Sequence, residues 1–297
     1  MGRDLLASIN KVRIAIGPEM DRPTWSWVGF SLMRELSKYF SVSVFSPEEV
    51  PKADVILLIK ERSPKFLELL APSTKLIYFP CDSYEDELSI QVDPFLSRSS
   101  AIVCHSEKLR SIILKYHQYV FHIEHDAKFV LPVAPSYVGD GPVLWIGFST
   151  YLPIVKEWLE LHTFSERLVV LTDKPNLIDL PGSVSQLRWT PRRQFDLMRI
   201  AKGGFDIKGD SFNQTIRPPE KIQTFIASGI PAATNSSSTV AEYFRMRGFH
   251  LADPSDSNRW FSREYFEETR IFSEHVKESM RLTHIGSSLR NIILEVV

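Results

Sequence analysis

The chain has 297 residues, more than the roughly 100–150 residues of a common single domain, and this length predicts two domains. Its composition, 43% hydrophobic and 24% charged, is that of a globular protein that buries a core. Lys and Arg number 35 against 36 Asp and Glu. The chain therefore lacks the basic excess that nucleic-acid binding proteins use, and we expect no nucleic-acid partner.

The sequence carries no signal for secretion or membrane insertion. Its two cysteines, Cys81 and Cys104, have neither metal-ligand spacing nor a disulfide framework, and they predict buried thiols in a reducing compartment. Residues 1–11 contain no signal-peptide core. No apolar run approaches the ~20 residues that span a bilayer. We expect a cytoplasmic protein, and exposed aromatic side chains leave a peripheral membrane contact open.

The first half of the chain alternates short apolar runs with patterns of helical period. The predicted strands are residues 12–16, 42–45, 54–59, 75–79, 101–104 and 119–123, and the predicted helices are 25–40, 64–70 and 107–116. Continuous apolar strands separated by helices are typical of a parallel sheet that is covered on both faces. Residues 1–135 therefore predict a Rossmann-like domain.

Residues 132–142 contain three prolines and two glycines and predict an interdomain linker. The alternation then restarts, which predicts a second Rossmann-like domain over residues 136–297. Its predicted strands are residues 143–146, 168–171, 187–189, 205–207, 231–234 and 249–252. Its predicted helices are 153–161, 191–201, 219–228 and 240–247, followed by C-terminal helices from 262 onward with a break near Gly286.

The residues with the clearest chemistry follow the strand predicted at 205–207. Ligands of doubly wound domains bind beyond the carboxyl ends of strands, where loops lead into helices. Pro218 and Pro219 open the next helix. Arg217 and Lys221 bracket its N-terminus, whose amides and dipole favour a phosphate group. The pair predicts a phosphate site, although both side chains also fit a solvated surface turn.

A second junction of this kind lies between residues 231 and 242. Thr239 and Glu242 fit a capping box, with Thr239 as the N-cap and Glu242 three residues later. The run Ser236, Ser237 and Ser238 brings hydroxyl and amide groups to the same helix start. These serines predict contacts to sugar hydroxyls or phosphate, or else a flexible loop.

The segment from Phe212 to Pro231 resembles the C-terminal-domain signature of the GT-B glycosyltransferases of group 1 type. That signature has a Pro or Ser, then a Lys, an amphipathic helix, and Ala-x-Gly-x-Pro before the next strand. Asp206 and Glu242 suit the same pattern. The turn containing Gly147 and Ser149 resembles the glycine turn that lies near the donor in this family.

The resemblance implies a GT-B fold, in which two Rossmann-like domains have parallel sheets that face each other across a cleft. It also implies a nucleoside-diphosphate sugar held mainly by the C-terminal domain. Lys221, helped by Arg217, would stabilise the diphosphate leaving group without a metal or other cofactor. With the serines of the second junction added, the remaining predicted donor-site residues are Gly147, Ser149, Thr224, Ser237, Ser238 and Glu242. At Thr224 the chain departs from the many relatives that have an acidic residue there.

The first domain should supply the acceptor side and any catalytic base. Asp82, His105 and His125 each follow a predicted strand, and their side chains have the chemistry of a general base. A surface carboxylate and structural histidines are the alternatives, and an enzyme that retains anomeric configuration needs no protein base. Asp82 and His125 are the predicted catalytic residues. The loop after the first strand adds side chains that either stack on a sugar or pack internally: Asp21, Arg22, Trp25, Ser26 and Trp27.

The predicted function is transfer of a sugar from a nucleoside-diphosphate sugar to a glycan, lipid or protein acceptor. The alternative is a non-catalytic GT-B-like protein that binds a nucleotide-sugar, which Thr224 and the short chain favour. A dinucleotide-dependent dehydrogenase or epimerase is disfavoured, because the turn after the first strand reads Gly17-Pro18-Glu19-Met20 and not G-x-G-x-x-G.

Overall fold

The computed structural model describes residues 12–21, 24–60, 63–137, 139–181 and 184–297. Residues 1–11 and Arg22, which the sequence analysis considered, lie outside the described residues. The chain forms two compact units. The first contains the described residues up to Asp126, with Ile216–Pro218 and Ser279–Val297, and the second contains Ala127–Thr215 and Pro219–Glu278.

The first unit contains a six-stranded parallel sheet. Its strands are β1 (Arg13–Gly17), β2 (Ser41–Val44), β3 (Val55–Ile59), β4 (Lys75–Phe79), β5 (Ala101–Cys104) and β6 (Val120–His122). They lie in the order β2-β1-β3-β4-β5-β6, and every pair is parallel. The strand order reverses between β1 and β3. Every residue of β3 and β5 is buried, as expected for strands covered on both faces.

Within the described residues up to Asp126, five helices accompany this sheet, the first of them preceded by a π-helical turn at Trp25–Gly29. They are α1 (Phe30–Leu36), α2 (Pro64–Leu69), α3 (Glu87–Gln91), α4 (Pro94–Arg98) and α5 (Glu107–Ile113). Helices α3 and α4 were not predicted. Their start signals are nevertheless present, since Asp86 and Asp93 accept hydrogen bonds from the first-turn amides of α3 and α4.

The second unit contains a five-stranded parallel sheet. Its strands are β7 (Val143–Ile146), β8 (Leu168–Thr172), β9 (Val184–Arg188), β10 (Gly203–Phe205) and β11 (Ala232–Ala233). They lie in the order β11-β10-β7-β8-β9, so the strand order reverses between β7 and β10. The strand predicted at 249–252 is reduced to one bridge between Ala233 and Ala252. Two parallel sheets with helices confirm the predicted α/β class with two Rossmann-like sheets.

The second unit is rich in helices. A 3₁₀ turn at Ser149–Tyr151 leads into the first of them. They are α6 (Leu152–Leu161), α7 (Pro191–Met198), α8 (Phe212–Thr215), α9 (Glu220–Ala227), α10 (Thr239–Arg245), α11 (Ser257–Trp260) and α12 (Arg263–Ser279). In the described part of the chain as a whole, no helix has the length and apolar character of a membrane span.

The capping box predicted at the start of α10 is wrong. Ser238 is the N-cap, and its hydroxyl accepts a hydrogen bond from the Ala241 amide at 3.1 Å. Thr239 instead donates its hydroxyl to the Thr215 carbonyl at 2.9 Å, and Glu242 is exposed. Ser and Thr are both good N-caps, so the local sequence fitted two adjacent registers.

The last helix, α13 (Leu282–Val296), packs in the first unit although it comes last in the chain. The break predicted near Gly286 lies earlier, at Met280 and Arg281 between α12 and α13, and Gly286 itself is buried inside α13. A Cβ atom at Gly286 would lie 2.3 Å from Glu35 Cγ on α1. The glycine therefore allows α13 to approach α1 closely and does not interrupt the helix.

Candidate functional site

A glycine and three polar residues of the second unit follow the carboxyl ends of its neighbouring strands. Gly147 follows β7, Asp173 follows β8, Asp206 follows β10 and Thr234 follows β11. The strand order reverses between β7 and β10, and ligands of open α/β sheets bind at the carboxyl ends of such strands. We call the group of Trp145, Gly147, Asp206, Lys208 and Lys221 the carboxyl-edge site.

Two lysines share the buried carboxylate of Asp206. Lys208 Nζ lies 2.8 Å from Asp206 Oδ2, and Lys221 Nζ lies 3.2 Å from Asp206 Oδ1. Burial acts to raise the pKa of Asp206, but the charges and hydrogen bonds of the two lysines outweigh it and hold the pKa below its usual value. The Lys208 side chain is 8% exposed, whereas that of Lys221 is 32% exposed. Lys221 is thus the lysine of the pair that solvent and ligands reach.

The Lys221 ammonium lies against aromatic rings and a glycine. Its Nζ is 4.7 Å from the centroid of the Trp145 ring and 5.9 Å from that of Tyr151, within range of cation–π attraction. A Cβ atom at Gly147 would lie 2.8 Å from Lys221 Nζ and 2.6 Å from Trp145 Cη2. Only a glycine at 147 leaves room for this arrangement. The structure therefore brings together two of the predicted donor-site residues, Gly147 and Lys221.

Helix α9 supplies both Lys221 and Thr224. Lys221 lies in its first turn, where the helix dipole favours an anion. Thr224, one turn later, donates its hydroxyl to the Glu220 carbonyl at 2.9 Å. This hydrogen bond within the helix occupies the hydroxyl proton of Thr224. A contact of Thr224 with a donor stays a prediction.

Asn235 and Thr234 fix the loop that carries Asp206 and Lys208. The Asn235 side chain accepts a hydrogen bond from the Lys208 amide and donates one to the Lys208 carbonyl, both at 3.0 Å. Thr234 donates its hydroxyl to the Asp206 carbonyl at 2.7 Å. Lys208 and Asn235 were not among the predicted site residues. The sequence feature that could have identified them is a polar residue just beyond the end of a strand.

The remaining predicted donor-site residues lie at helix starts or on the surface. Ser149 is buried, and its amide donates to Asp173 Oδ1 at 2.7 Å. Burial acts to raise the pKa of Asp173, but hydrogen bonds from Ser149 and Thr172 outweigh it and lower the pKa. Ser238 is buried as the N-cap of α10, whereas Ser237 and Glu242 are exposed. Their roles toward a donor stay predictions.

The predicted catalytic residue Asp82 lies in an ion cluster of the first unit. Asp82 accepts hydrogen bonds from Lys60 Nζ at 2.6 Å and from Arg217 Nη2 at 3.2 Å. Burial acts to raise the pKa of Asp82, but the hydrogen bond from Lys60 and the charges of Lys60 and Arg217 outweigh it and lower the pKa. A carboxylate with a lowered pKa is a weak base. A catalytic role for Asp82 stays a prediction, and the structure pairs Arg217 with Asp82 in the first unit.

The histidines at the carboxyl edge of the first sheet form a pair. The ring centroids of His105 and His125 are 4.1 Å apart. His105 is buried, and its Nδ1 donates to the Ile123 carbonyl at 2.7 Å. Burial, and then the neighbouring His125, hold the pKa of His105 well below its usual value, so His105 is neutral. Trp25, in the π-helical turn before α1, is buried, which supports internal packing for that tryptophan.

The carboxyl-edge site has the chemistry of an anion site. Two ammonium groups and the N-terminus of α9 lie beside one carboxylate, at the position where doubly wound sheets bind ligands. Among the residues that the structure describes, no three His, Cys, Asp or Glu side chains come together as metal ligands.

Comparison with known proteins identifies the fold. No protein-family profile and no curated protein sequence matches the chain. The structure is similar to sucrose-phosphate synthase from Thermosynechococcus elongatus, with a TM-score of 0.64, 10% identity and coverage of 96% of this chain and 99% of the other. It is also similar to HepE of Anabaena in complex with UDP and glucose, with a TM-score of 0.61, 9% identity and coverage of 96% and 100%.

A third similar structure is an α-glucosyltransferase in complex with UDP and a DNA 13-mer. Its TM-score is 0.52 at 12% identity, and the match covers 96% of this chain and 99% of the other. At these identities the similarity establishes the fold. Together with the two parallel sheets, the comparisons show that this chain has the GT-B glycosyltransferase fold that the sequence predicted.

Proposed function

We propose that this protein transfers a sugar from a nucleoside-diphosphate sugar to an acceptor, and that the carboxyl-edge site binds the diphosphate. The observation that carries the proposal is the placement of Lys221. Its ammonium lies 3.2 Å from Asp206, beside Trp145 and against Gly147, where the strand order of the second unit reverses. The GT-B fold supports it, as does the UDP bound in two of the similar structures.

In the proposed reaction, Lys221 and the N-terminus of α9 stabilise the departing nucleoside diphosphate. Negative charge grows on the diphosphate as the bond to the sugar breaks, and fixed positive groups lower the energy of that transition state. Asp206 holds Lys221 in place, and Lys208 keeps the buried Asp206 paired when Lys221 interacts with the ligand. Because the chain supplies these cations, we propose that transfer does not depend on a metal ion.

The first unit is proposed to bind the acceptor, a glycan, lipid or protein. Its candidate groups lie beyond the carboxyl ends of β3 to β6: the cluster of Asp82, Lys60 and Arg217, and the histidine pair. Neutral His105 packs against His125, and the His125 imidazole is the proposed group that accepts a proton from an acceptor hydroxyl. Because Arg217 pairs with Asp82, Lys221 is the side chain on which the proposed binding of the diphosphate rests.

The first experiment is calorimetric titration with UDP, GDP, ADP and dTDP. We expect one of the four to bind, and Lys221→Ala to weaken that binding by about tenfold or more, because a charge-assisted contact to phosphate is lost. Lys156→Ala is the matched control, since Lys156 lies on the exposed face of α6 and pairs with Glu160. Failure of all four nucleotides to bind the folded protein would overturn the proposal.

Turnover then separates the enzyme from a binding protein. Slow hydrolysis of the nucleotide-sugar that carries the preferred nucleotide is measured with and without EDTA, which requires no knowledge of the acceptor. We expect hydrolysis that persists in EDTA and is lost in Lys221→Ala. Nucleotide binding without any turnover would favour the non-catalytic alternative.

A further inference from the structure

A cavity of about 280 Å³ lies in the second unit, away from the carboxyl-edge site. Three chain segments line it, residues 131–137, 198–201 and 228–231, together with Phe266 of α12. These segments come before β7, β10 and β11, whereas Gly147, Asp206 and Thr234 come after the same strands. The cavity therefore lies at the amino ends of the strands, at the opposite edge of the sheet. We call it the amino-edge cavity.

The inside of the amino-edge cavity is mainly apolar, with Tyr137, Ser136 and Ser228 as its uncharged polar residues. Leu131, Met198, Ile230 and Phe266 supply apolar walls. The ring of Tyr137 lies 5.4 Å from that of Phe266, and its buried hydroxyl has no hydrogen-bond partner among the described residues. Burial, and then the charge of Glu166, raise the pKa of Tyr137 to about 12, so its hydroxyl is neutral. Buried hydroxyls are normally paired, so a ligand group or water is expected here.

The mouth of the cavity carries positive charge. A neighbouring groove shares Leu131, Pro132 and Arg199 with the cavity and adds Arg192 and Asp196. Arg192 Nε lies 3.7 Å from Asp196 Oδ2, and Arg199 Nη1 lies 3.5 Å from Asp196 Oδ1. The Arg192 and Arg199 side chains are 93% and 65% exposed. Two exposed guanidinium groups thus share one carboxylate through long contacts, which an incoming anion readily replaces.

We propose that the amino-edge cavity binds a small amphipathic carboxylic acid. Its apolar body enters the cavity and contacts the Tyr137 hydroxyl, and its carboxylate pairs with Arg199 and Arg192 at the mouth. The volume equals roughly nine waters at ~30 Å³ each, enough for one aromatic ring with a short chain. Pockets with apolar walls and a few polar groups are the usual form of small-molecule sites. This site is separate from the proposed donor site and does not depend on glycosyl transfer.

The test uses the full chain labelled with ¹³C at its methionine methyl groups. Met198 lines the cavity and reports on its occupancy, while Met246, which is 74% exposed on the surface, is an internal control. The probe is 4-phenylbutyrate, and its uncharged amide is the matched probe. We expect a saturable shift of the Met198 methyl signal, no shift at Met246, and about fivefold tighter binding of the acid than of the amide.

Two variants separate the parts of the proposal. Arg199→Gln should weaken binding of the acid to the level of the amide, and the exposed Arg245→Gln should leave it unchanged. Tyr137→Phe keeps the ring and should weaken both probes. Absence of a saturable Met198 shift up to the solubility of the probe would overturn the proposal. So would equal affinity for acid and amide, or a Met198 shift that depends on protein concentration without probe, which would indicate a contact between copies.

Discussion

Gly147 is the residue whose replacement tests the geometry of Lys221 most directly. Gly147→Ala adds a Cβ atom 2.8 Å from Lys221 Nζ and 2.6 Å from the Trp145 ring. At these distances the added atom must displace the ammonium or the indole. Overpacking a closely packed site costs about 1–3 kcal/mol. We expect affinity for UDP, or for whichever nucleotide binds, to fall about tenfold. Calorimetric titration measures it.

Gly139→Ala is the matched control. A Cβ atom at Gly139 would approach the Tyr137 ring no closer than 3.9 Å, an ordinary van der Waals distance. This variant should bind nucleotide with the affinity of the unmodified protein. Unchanged affinity in Gly147→Ala would show that the position of the Lys221 ammonium does not govern nucleotide binding.

Asp206 should contribute to stability as well as to ligand binding. Its carboxylate is 4% exposed and pairs with Lys208, whose side chain is 8% exposed. Asp206→Asn leaves the Lys208 charge buried without a negative partner at this position, which costs about 3–5 kcal/mol. We expect a lower urea midpoint at neutral pH. Asp179→Asn, at an exposed aspartate of the same unit, should leave the midpoint unchanged.

The pH dependence of this effect has a defined sign. The pKa of Asp206 in the folded protein is lowered, and its value in the unfolded chain is about 3.9. The stabilisation by Asp206 is therefore complete above about pH 5 and is lost as the pH falls through the folded-state pKa. Urea midpoints of the unmodified protein and of Asp206→Asn should converge at acidic pH. A difference that stays constant down to the acid limit would contradict this assignment.

The residues of the candidate site differ in how far the sequence reveals them. Gly147 and Lys221 stand in recognisable local patterns, a glycine after a strand and a lysine in a helix-starting segment. Lys208 and Asn235 lie 27 residues apart and meet only because β10 and β11 are neighbours in the sheet. A pairing that depends on strand order cannot be derived from local periodicity. Asp206, which pairs with both lysines, was singled out in the sequence only because it suits the pattern of the resemblance.

At the scale of elements, strand prediction succeeded where a strand is buried on both sides. Strands β4, β5 and β7 have the predicted bounds because their apolar runs are continuous. Strand β10 was predicted two residues too late, since it consists of Gly203, Gly204 and Phe205. A Cβ atom at Gly204 would lie 2.5 Å from the Phe225 ring of α9. The glycines are present for close helix packing, a requirement that strand propensity does not show.

Gly286 gives a test of the packing between α13 and α1. Replacing a glycine inside a helix with alanine usually stabilises the helix by about 0.5–1 kcal/mol. Here the new Cβ atom would lie 2.3 Å from Cγ of the buried Glu35, and overpacking costs about 1–3 kcal/mol. The steric cost wins, so we expect Gly286→Ala to lower the melting temperature.

Ser287→Ala is the control for that experiment, because Ser287 lies on the exposed side of the same helix. Alanine is the better helix former, so this variant should match or slightly exceed the unmodified protein in melting temperature. A Gly286→Ala protein that is more stable than the unmodified chain would show that the contact between α1 and α13 has room for the added methyl group.

At the scale of the whole molecule, the number of Rossmann-like sheets followed from the strand alternation that restarts after residue 142. The assignment of α13 to the first unit did not follow from this alternation. Amphipathic periodicity shows that a helix has an apolar face and does not show which sheet that face covers. The division of the sequence at residue 135 is a local inference from prolines and glycines. It carries no information about a C-terminal segment that returns to the first unit.

Removal of residues 279–297 should therefore destabilise the first unit selectively. Ile285, Leu289, Ile292 and Ile293 belong to the buried core cluster of that unit. Each such side chain stabilises by about 1.5–3 kcal/mol when buried, so the four together are comparable to the 5–15 kcal/mol typical of a whole domain. We expect the first unit to lose its cooperative structure while the second keeps its own core.

Hydrogen exchange measured by mass spectrometry distinguishes the two units within one sample. In the truncated chain, amides of β3 and β4 should exchange rapidly, whereas amides of β7 and β8 should keep their protection, because no residue of α13 belongs to the second unit. The full chain with Leu289→Ala provides an intermediate case, since it removes one of the four buried side chains. Protection of β3 and β4 that survives the truncation would mean that the first sheet is stable without its last helix. The buried face of α13 would then add little to the stability of the first unit.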